Sequence, residues 1–227
     1  MSYVIIRLMR NLLILAGGKS SRMGQDKVML ELDGMPFIEH IYRNAKSYFD
    51  RIIISTDTKE HANRIRQVRL IAQEDPEIVT DAYMQAGPIG GICTAFEKTS
   101  ATRFSVISAD VPFADMRVLA ALFDACKNKA ALLKIGEKKP EPLIAAYDRT
   151  GYPDLKSSLD KGNLKLRLVF DEKDTDVIDA CEIPIGDGHV TEGECLAAFM
   201  NINTQDDYHK AREAASTDNQ KHLQSRI

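Results

Sequence analysis

The residues that could carry chemistry begin with a glycine-rich basic loop at positions 15–27, which reads LAGGKSSRMGQDK. Its three glycines allow backbone N–H groups to turn toward an anion, and Lys19, Arg22 and Lys27 add three positive charges within nine residues. Phosphate oxygens are the natural partners of such a loop. An ordinary turn with solvated basic side chains is the alternative, but a glycine pair directly behind an apolar run favours phosphate binding.

Two common phosphate-binding motifs do not fit this loop. A P-loop requires G-x-x-x-x-G-K-[ST], whereas Gly24 is followed by Gln25 and Asp26. A dinucleotide-binding fingerprint requires G-x-G-x-x-G, and the pair Gly17 and Gly18 lacks a glycine at the required third position. The loop therefore belongs to another type.

Acidic and amide side chains form a second group of candidates. Asp110 follows an apolar run at 104–108, where its carboxylate could face a ligand at the strand end or, alternatively, cap the next helix. Asn201 and Asn203 alternate at the end of a predicted strand, which would place both amides on one face, unless they serve only as turn and helix-cap residues. The glycines of 87–91 surround a proline at a helix start, which favours close approach of a ligand to the backbone.

The composition limits the classes of protein to which such a site could belong. The chain has 227 residues, 44% hydrophobic and 28% charged, with a formal net charge of -3, which suits one sizeable α/β core. It shows no contiguous basic stripe with interleaved aromatic residues, so a nucleic-acid partner is not expected. Arg7 and Arg10 interrupt the apolar N-terminal stretch, which predicts a lead-in and a buried strand rather than a signal peptide or a membrane segment.

The cysteines and histidines predict neither a structural zinc site nor a disulfide framework. The four cysteines include no C-x-x-C pair, and the five histidines have no ligand-like spacing to them. A reducing cytoplasm is therefore the expected compartment.

The elements that position these residues alternate between strand and helix up to about residue 135. Short apolar runs predict strands at 11–16, 51–55, 68–72, 104–108 and 130–135. Apolar faces at helical spacing predict helices at 36–49, 57–66, 88–98 and 116–126, and the acidic segment 73–85 is read as irregular. This alternation predicts a mostly parallel sheet with helices on both faces, whose ligands bind outside the carboxyl ends of the strands.

The pattern changes in the last third of the chain. A strand-like run at 142–147 is followed by helical patterns at 153–161 and 163–171 and by an edge strand at 177–185. An apolar run at 196–200 then leads into Asn201, and Thr204 could cap a helix that extends to about Ala215. Residues 216–227 are read as a polar tail.

Four motifs together resemble the MobA-like nucleotidyltransferases. The loop at 15–27 resembles their signature L-A-G-G-x-S-x-R-M-G-x-D-K, and residues 87–92 resemble their G-P-L-A-G-I. Residues 110–113 resemble C-D-x-P-F, and residues 201–204 resemble N-x-N-T-P, which is typical of the molybdopterin branch. The likeness extends over about residues 11–215.

The resemblance implies a fold and a domain organisation. The expected fold class is α/β, a Rossmann-like three-layer α/β/α nucleotidyltransferase fold with a mostly parallel twisted sheet and a C-terminal antiparallel elaboration. One domain is expected over residues 1–215, with a nucleotide-binding part at 11–135 and an acceptor-binding part at 136–215. A monomer is expected, with other cofactor-biosynthesis or delivery proteins as further partners.

The resemblance also implies a reaction. In this family the terminal phosphate of molybdopterin attacks the α-phosphorus of GTP, and pyrophosphate leaves. An anionic phosphate needs no strong general base, so catalysis depends on alignment and charge neutralisation. By resemblance, Lys27 neutralises the α-phosphate, Arg22 and the loop amides hold the β- and γ-phosphates, and Asp110 holds Mg²⁺.

Substrate contacts follow from the same motifs. The residues assigned to nucleotide binding are Leu15, Ala16, Gly17, Gly18, Lys27, Asp81, Gly87, Gly90 and Asp110, with Asp75 as a rival to Asp81. Asn201 and Asn203 are assigned to molybdopterin, and the basic segment 162–167 resembles one that faces the pterin phosphate, although a solvated helix face fits it equally. Two departures are Gln205 in place of proline and Ala109 in place of cysteine.

Base selectivity stays open at this point, because the family often has asparagine after the second strand, where this chain has Ser55-Thr56-Asp57. A cytidylyltransferase for the same cofactor is one alternative. A non-catalytic nucleotide-binding protein that keeps the fold is another, but the intact Lys27 and Asp110 argue against it.

Lys27→Ala is expected to lower kcat at least about a hundredfold, because one preorganised positive charge at a transferring phosphate is worth about that much. The release of pyrophosphate under steady-state conditions measures the effect. Unchanged turnover would remove Lys27 from the chemistry.

Overall fold

A computed structural model describes residues 8–17, 27–185, 188–202 and 206–207, and of residues 27 and 185 it describes the backbone alone. The described strands are β1 Asn11–Leu15, β2 Glu31–Leu32, β3 Met35–Pro36, β4 Arg51–Thr56, β5 Glu77–Thr80, β6 Arg103–Ser108, β7 Ala130–Lys134, β8 Glu141–Asp148, β9 Thr175–Asp179, β10 Pro184–Ile185 and β11 Gly188–His189. The α-helices are α1 Phe37–Ala45, α2 Lys59–Arg66, α3 Arg69–Glu74, α4 Pro88–Lys98, α5 Met116–Ala125, α6 Tyr152–Asp160 and α7 Glu192–Ala198. None of these helices has the length and apolar character needed to span a bilayer.

Seven strands form one sheet in the order β5-β4-β1-β6-β8-β7-β9. β1 lies at its centre and pairs in parallel with β4 on one side and β6 on the other. Among the described strands of this sheet, β8 alone runs antiparallel to its neighbours, β6 and β7. The predicted mostly parallel α/β architecture with an antiparallel addition is confirmed.

The sheet has an apolar core on each face, because alternate residues of a strand point to opposite sides. In β1, Leu12 and Ile14 enter the first core, whereas Leu13 and Leu15 enter the second. The first core is covered by α1, α2, α3, α5 and α7, and the second by α4 and α6. The result is the three-layer arrangement expected from the alternation of strands and helices.

A small third core joins three separate parts of the chain. Leu32, Phe37 and Ile202 are each fully buried in it, and Phe113 and Met200 pack against them. Leu32 and Phe37 follow the basic loop, Phe113 follows Asp110, and Ile202 lies between the two asparagines. The third core therefore holds three of the motif segments together by apolar packing.

The predicted strand at 68–72 is wrong. Residues 69–74 form α3, which ends at Asp75 in a left-handed conformation with φ 45°, and Pro76 follows. The strand that extends the sheet is β5, inside the segment read as irregular, and it pairs in parallel with β4 through Ile54–Ile78 and Ser55–Val79. Pairing with an existing strand decides the conformation of such short segments, and local apolar content does not.

Three predictions in the last third of the chain also need correction. Residues 163–171 form no α-helix and contain only a 3₁₀ turn at Leu166–Leu168. The edge strand begins earlier than predicted, as β9, and a 3₁₀ turn at Ala180–Glu182 separates it from β10. The apolar run at 196–200 continues α7, which a reciprocal capping box of Thr191 and Glu194 starts, so Asn201 follows a helix and not a strand.

Ile202→Ala is expected to lower the free energy of unfolding by about 2–4 kcal/mol, because it empties a fully buried position in the third core. Urea denaturation measures the change. Asn201→Ala provides a matched control, since the neighbouring side chain is exposed and its loss should leave stability within about 0.5 kcal/mol. Equal effects of the two substitutions would show that the third core does not anchor this segment.

Candidate active site

The site lies at the carboxyl edge of the sheet, where β1, β4 and β6 end side by side. Backbone hydrogen bonds continue the pairing just beyond the strands: the Ala16 N–H donates to the Ser55 carbonyl at 2.8 Å, and the Ala109 N–H donates to the Leu15 carbonyl at 3.0 Å. The start of the basic loop and the residue before Asp110 are therefore fixed relative to one another.

Two pockets open at this edge. The Asp81 pocket has a volume of about 600 Å³ and is lined by Leu15, Gly17, Ser55, Asp57, Thr58, Asp81, Tyr83, Met84, Gln85, Ala86, Gly87, Pro88, Gly91, Ser108 and Leu143. The Asp110 pocket has a volume of about 500 Å³ and is lined by Ser108, Asp110, Val111, Leu133, Ile135, Lys138, Lys139, Glu141, Leu143, Ile144, Leu196, Phe199, Met200 and Asn201.

The two pockets share a wall formed by Ser108 and Leu143. Ser108 is the last residue of β6, and Leu143 comes from β8. Because β8 runs antiparallel to β6 and pairs Ile144 with Ile107, its first residues lie at the same edge where β6 ends. Ligands in the two pockets would therefore face each other across this wall, beside Asp110.

Asp81 is the polar centre of the first pocket. It follows β5, and its N–H donates to the Thr56 carbonyl at 2.8 Å, while its carboxylate accepts a short hydrogen bond from the Ser55 hydroxyl. Burial raises the pKa of Asp81, the carboxylate of Asp57 adds to the rise, and the hydrogen bond from Ser55 opposes it. A partly desolvated carboxylate in a pocket of this size is a strong acceptor for paired N–H donors.

Asp57 is a second carboxylate among the lining residues of this pocket. Its carboxylate lies 3.0 Å from Nδ1 of the buried His61, one helical turn further along the chain. A Cβ atom on Gly17 would lie 3.1 Å from the Asp57 nitrogen, so the glycine lets the basic loop start directly against the end of β4. Two carboxylates and the start of the loop thus contribute to the lining of the pocket.

The glycine-rich start of α4 closes the pocket from the side. Gly87 has φ 63° and ψ -154°, a conformation that is almost restricted to glycine, and it precedes Pro88 at the first turn of the helix. A Cβ atom on Gly91 would lie 2.8 Å from Leu15 Cδ2 and 3.1 Å from Ser55 Oγ. Gly91 therefore allows the helix to contact the ends of β1 and β4, next to Asp81.

The loop between Asp81 and Gly87 is attached to α4 and α6. The Ala82 N–H donates to the buried Thr94 hydroxyl at 2.9 Å, and the Tyr83 hydroxyl donates to Glu97 at 2.5 Å. Tyr152 of α6 donates to the same carboxylate at 2.7 Å. Met84 remains 89% exposed at the rim of the pocket.

Asp110 connects the second pocket to the C-terminal asparagine motif. The Ile202 N–H donates to the Asp110 carbonyl at 2.9 Å, which brings Asn201 to the same pocket as Asp110. The Asp110 carboxylate is partly buried, and its Oδ1 atom is inaccessible to solvent. No cluster of three or more potential metal-ligating side chains occurs among the residues that the structure describes.

The structure brings six of the predicted site residues to the two pockets. Leu15, Gly17, Asp81 and Gly87 line the first, and Asp110 and Asn201 line the second. Ala16 is buried behind the start of the loop, and Gly90 packs against Ala86, where an added Cβ would lie 2.8 Å from the alanine Cβ. Asp75 is exposed at the end of α3 and lines neither pocket.

The remaining predicted residues lie outside the described part of the chain. These are Gly18, Lys19, Arg22, Asn203 and the predicted helix cap Thr204, together with the side chain of Lys27, whose backbone begins the 3₁₀ turn Lys27–Met29. Their assigned roles stay predictions.

Sequence reasoning missed several lining residues. Gly91 is the neighbour of the predicted Gly90. Its position against Leu15 and Ser55 depends on how α4 packs on the sheet, which the sequence does not show. Leu143 and the lysine pair Lys138 and Lys139 reach the edge through the antiparallel β8. In the sequence, this turn is marked only by a lysine pair between Gly136 and Pro140. That pair does not indicate the direction of the strand that follows it.

Comparison with known proteins identifies the family of this chain. The family model for the MobA-like NTP transferase domain matches residues 12–176. The chain belongs to the MobA-like NTP transferase family. It is a nucleotidyltransferase, as the motifs and the fold predicted.

The similar proteins include curated relatives and a solved structure. A probable molybdenum cofactor guanylyltransferase from Methanosarcina mazei is 29% identical over 206 residues, which cover 88% of this chain and 89% of the relative. A protein of the same name from Flavobacterium johnsoniae is 31% identical over 154 residues, which cover 67% and 76%. The crystal structure of molybdopterin-guanine dinucleotide biosynthesis protein A from Archaeoglobus fulgidus superposes with a TM-score of 0.74 at 25% identity and covers 91% of this chain and 99% of that one.

Gly91→Ala is expected to weaken nucleotide binding at least about tenfold, because the new methyl group must displace Leu15 or Ser55 at the floor of the Asp81 pocket. Titration with a fluorescent nucleotide measures the dissociation constant. Gly193→Ala is the control: it is also helical, and a Cβ there meets nothing within 4 Å. Equal affinities for the two variants would show that contact between α4 and β1 does not shape the nucleotide site.

Proposed function

We propose that this enzyme transfers GMP from GTP to the terminal phosphate of molybdopterin, releases pyrophosphate and forms a guanine dinucleotide cofactor. The observation that carries the proposal is the pair of pockets that share one wall beside Asp110. A transferase that joins two substrates needs each bound separately, with the reacting groups meeting at one point.

The base preference is argued from the Asp81 pocket. Guanine presents two adjacent N–H donors on its Watson–Crick edge, which suit a carboxylate acceptor, whereas cytosine presents a single amino donor there. Asp81 supplies such a carboxylate, and Ser55 fixes one of its oxygens by a hydrogen bond. The apolar side chains of Leu15 and Leu143 give the ring flat surfaces on which to pack.

The acceptor is assigned to the Asp110 pocket. Apolar side chains of β7, β8 and α7 line most of it, and Asn201 adds amide groups that match the amide-like edges of a pterin. The names of the relatives support this choice, since both curated relatives are probable molybdenum cofactor guanylyltransferases.

The reaction itself requires alignment and charge neutralisation. In the proposal, Lys27 faces the α-phosphate, and Arg22 with the backbone amides of 17–18 holds the departing pyrophosphate. A single carboxylate at Asp110 fits Mg²⁺, which binds proteins through one or two carboxylates and takes its other ligands from phosphates and water. The ion would supply positive charge at the phosphates. No protein base is needed, because the attacking phosphate is already anionic.

Further parts of the proposal concern organisation and context. The nucleotide is assigned to residues 11–135 and the acceptor to 136–215 of one domain. The enzyme is proposed to act as a monomer in the cytoplasm, where its four thiols, which form no disulfide, stay reduced. Other proteins of cofactor synthesis or delivery are proposed as its partners.

The direct test is incubation with molybdopterin, Mg²⁺ and each nucleoside triphosphate in turn, with pyrophosphate release as the signal. With molybdopterin and Mg²⁺ present, GTP should support rapid release of pyrophosphate, and the other nucleoside triphosphates should not. Preference for CTP would replace the proposal by a cytidylyltransferase, and binding without release would favour the non-catalytic alternative.

Asp81→Asn is expected to weaken GTP binding about tenfold to a hundredfold, since the amide loses the charge that accepts from the guanine donors. CTP binding should change little. Because burial raises the pKa of Asp81, GTP affinity of the unsubstituted enzyme should fall on acidification, starting above the usual range of aspartate, as the carboxylate is protonated.

Asp75→Asn is the matched control for this measurement. The Asp75 side chain is exposed, and its backbone has the left-handed conformation, which asparagine adopts well. The substitution should therefore leave GTP affinity unchanged. Calorimetric titration with GTP and CTP over pH distinguishes the two carboxylates. A loss of affinity in Asp75→Asn alone would assign the nucleotide contact to the rival position.

A further inference from the structure

A basic turn forms one side of the Asp110 pocket. β7 ends at Lys134 and β8 begins at Glu141, and both of these ends lie at the carboxyl edge of the sheet because the two strands are antiparallel. The turn between them carries Lys138 and Lys139, and both residues line the pocket.

These two lysines are not neutralised within the described part of the chain. Neither forms an ion pair there, although Glu141 lines the same pocket; the Glu141 carboxylate instead accepts from the Leu143 N–H at 3.2 Å. Lys129, just before the other end of β7, shows the contrasting case: its ammonium lies 2.9 Å from Asp154 and 3.0 Å from Asp174. The two adjacent ammonium groups are thus available for a ligand, in a pocket that also contains the carboxylates of Asp110 and Glu141.

The turn is held in place by the fold. The Lys138 N–H donates to the Ile135 carbonyl at 3.2 Å, and Gly136 takes φ 55°. A Cβ atom on Gly136 would lie 2.2 Å from the carboxylate of Glu192, so the turn packs directly against the first turn of α7. The backbone that carries the lysines is therefore ordered before a ligand arrives.

The lining of the pocket indicates the chemistry of the ligand. Leu133, Ile144 and Phe199 offer apolar surface to a flat ring, and Asn201 offers amide hydrogen bonds. The lysine pair adds an anion-binding end, for which a phosphate is the natural match. The basic segment 162–167 was the sequence-based candidate for binding the pterin phosphate. Its residues Lys165 and Arg167 line neither pocket.

We propose that Lys138 and Lys139 bind the phosphate of the acceptor and hold it in the Asp110 pocket. The assignment rests on the proposed function for the identity of the acceptor as a pterin phosphate. Charge on the turn raises the affinity for the phosphorylated acceptor, and the nucleotide in the Asp81 pocket does not depend on it.

The test is the double variant K138Q/K139Q, which keeps polar, slightly shorter side chains and removes both charges. Its KM for molybdopterin should rise at least about tenfold, and the dependence of kcat/KM on ionic strength should become weaker. The dissociation constant for GTP should stay within about twofold. The control K165Q/R167Q removes the same charge elsewhere and should leave all three quantities unchanged.

A binding experiment without nucleotide separates this proposal from the proposed function. Pterin fluorescence reports the affinities for molybdopterin and for molybdopterin dephosphorylated by a phosphatase. The unsubstituted enzyme should favour the phosphorylated form, and K138Q/K139Q should lose that preference. A preference that persists in the double variant, or is absent from the unsubstituted enzyme, overturns the lysine assignment; absence of pyrophosphate release with normal binding overturns only the proposed reaction.

Discussion

The antiparallel pairing of β8 with both β6 and β7 is the constraint on which the arrangement of the site depends. A parallel strand in this place would begin at the opposite edge and would carry its first residues away from Asp110. The antiparallel direction instead brings Leu143 to the end of β6 and the turn with Lys138 and Lys139 to the same edge. One strand direction therefore creates the shared wall and a second pocket beside a sheet that would otherwise offer one.

The two pockets differ in the charged side chains that line them. Asp57 and Asp81 make the first rich in acceptors, and the pKa of Asp81 rises because burial removes water from its carboxylate. The second pocket combines the carboxylates of Asp110 and Glu141 with two lysines that form no ion pair within the described residues. The first pocket therefore suits the hydrogen-bond donors of the proposed base, and the lysines of the second suit the proposed anionic acceptor, so this charge pattern would orient both substrates.

Much of this fold could be predicted from the sequence where local and long-range signals agree. The apolar run 11–16, ended by a glycine pair, correctly predicted β1 and the position where the basic loop starts. The Gly–Pro pair at 87–88 correctly predicted the start of α4. Prediction failed at 68–80 because a short apolar segment can be helix or strand, and only pairing with β4 selects β5. It failed again at 196–200, where the capping box upstream outweighed the apolar run.

The site was predictable to a similar extent and for similar reasons. Gly87 and Asp110 stand at element ends that the sequence marks, so their positions in the pockets followed from topology. Asp81 was assigned by resemblance to the family alone, because the strand that it follows, β5, was not predicted. Gly91, Leu143 and the lysine pair depend on helix rotation and strand direction, which a single sequence does not encode locally. The basic segment at 162–167 packs against α6, with Leu166 buried there, and Lys165 and Arg167 line neither pocket, so its role in binding the acceptor stays a prediction.

The hydrogen bond from Ile202 to Asp110 has a consequence for the order in which the molecule assembles. It joins residues 92 positions apart, so closing it costs the entropy of a long loop and must follow the packing of the sheet. During synthesis from the N-terminus, the walls made by β1, β4 and α4 are available long before residue 202 has left the ribosome. The pocket proposed for the nucleotide would thus be built early, and the pocket proposed for the acceptor would be completed only when residues 201–202 dock beside Asp110.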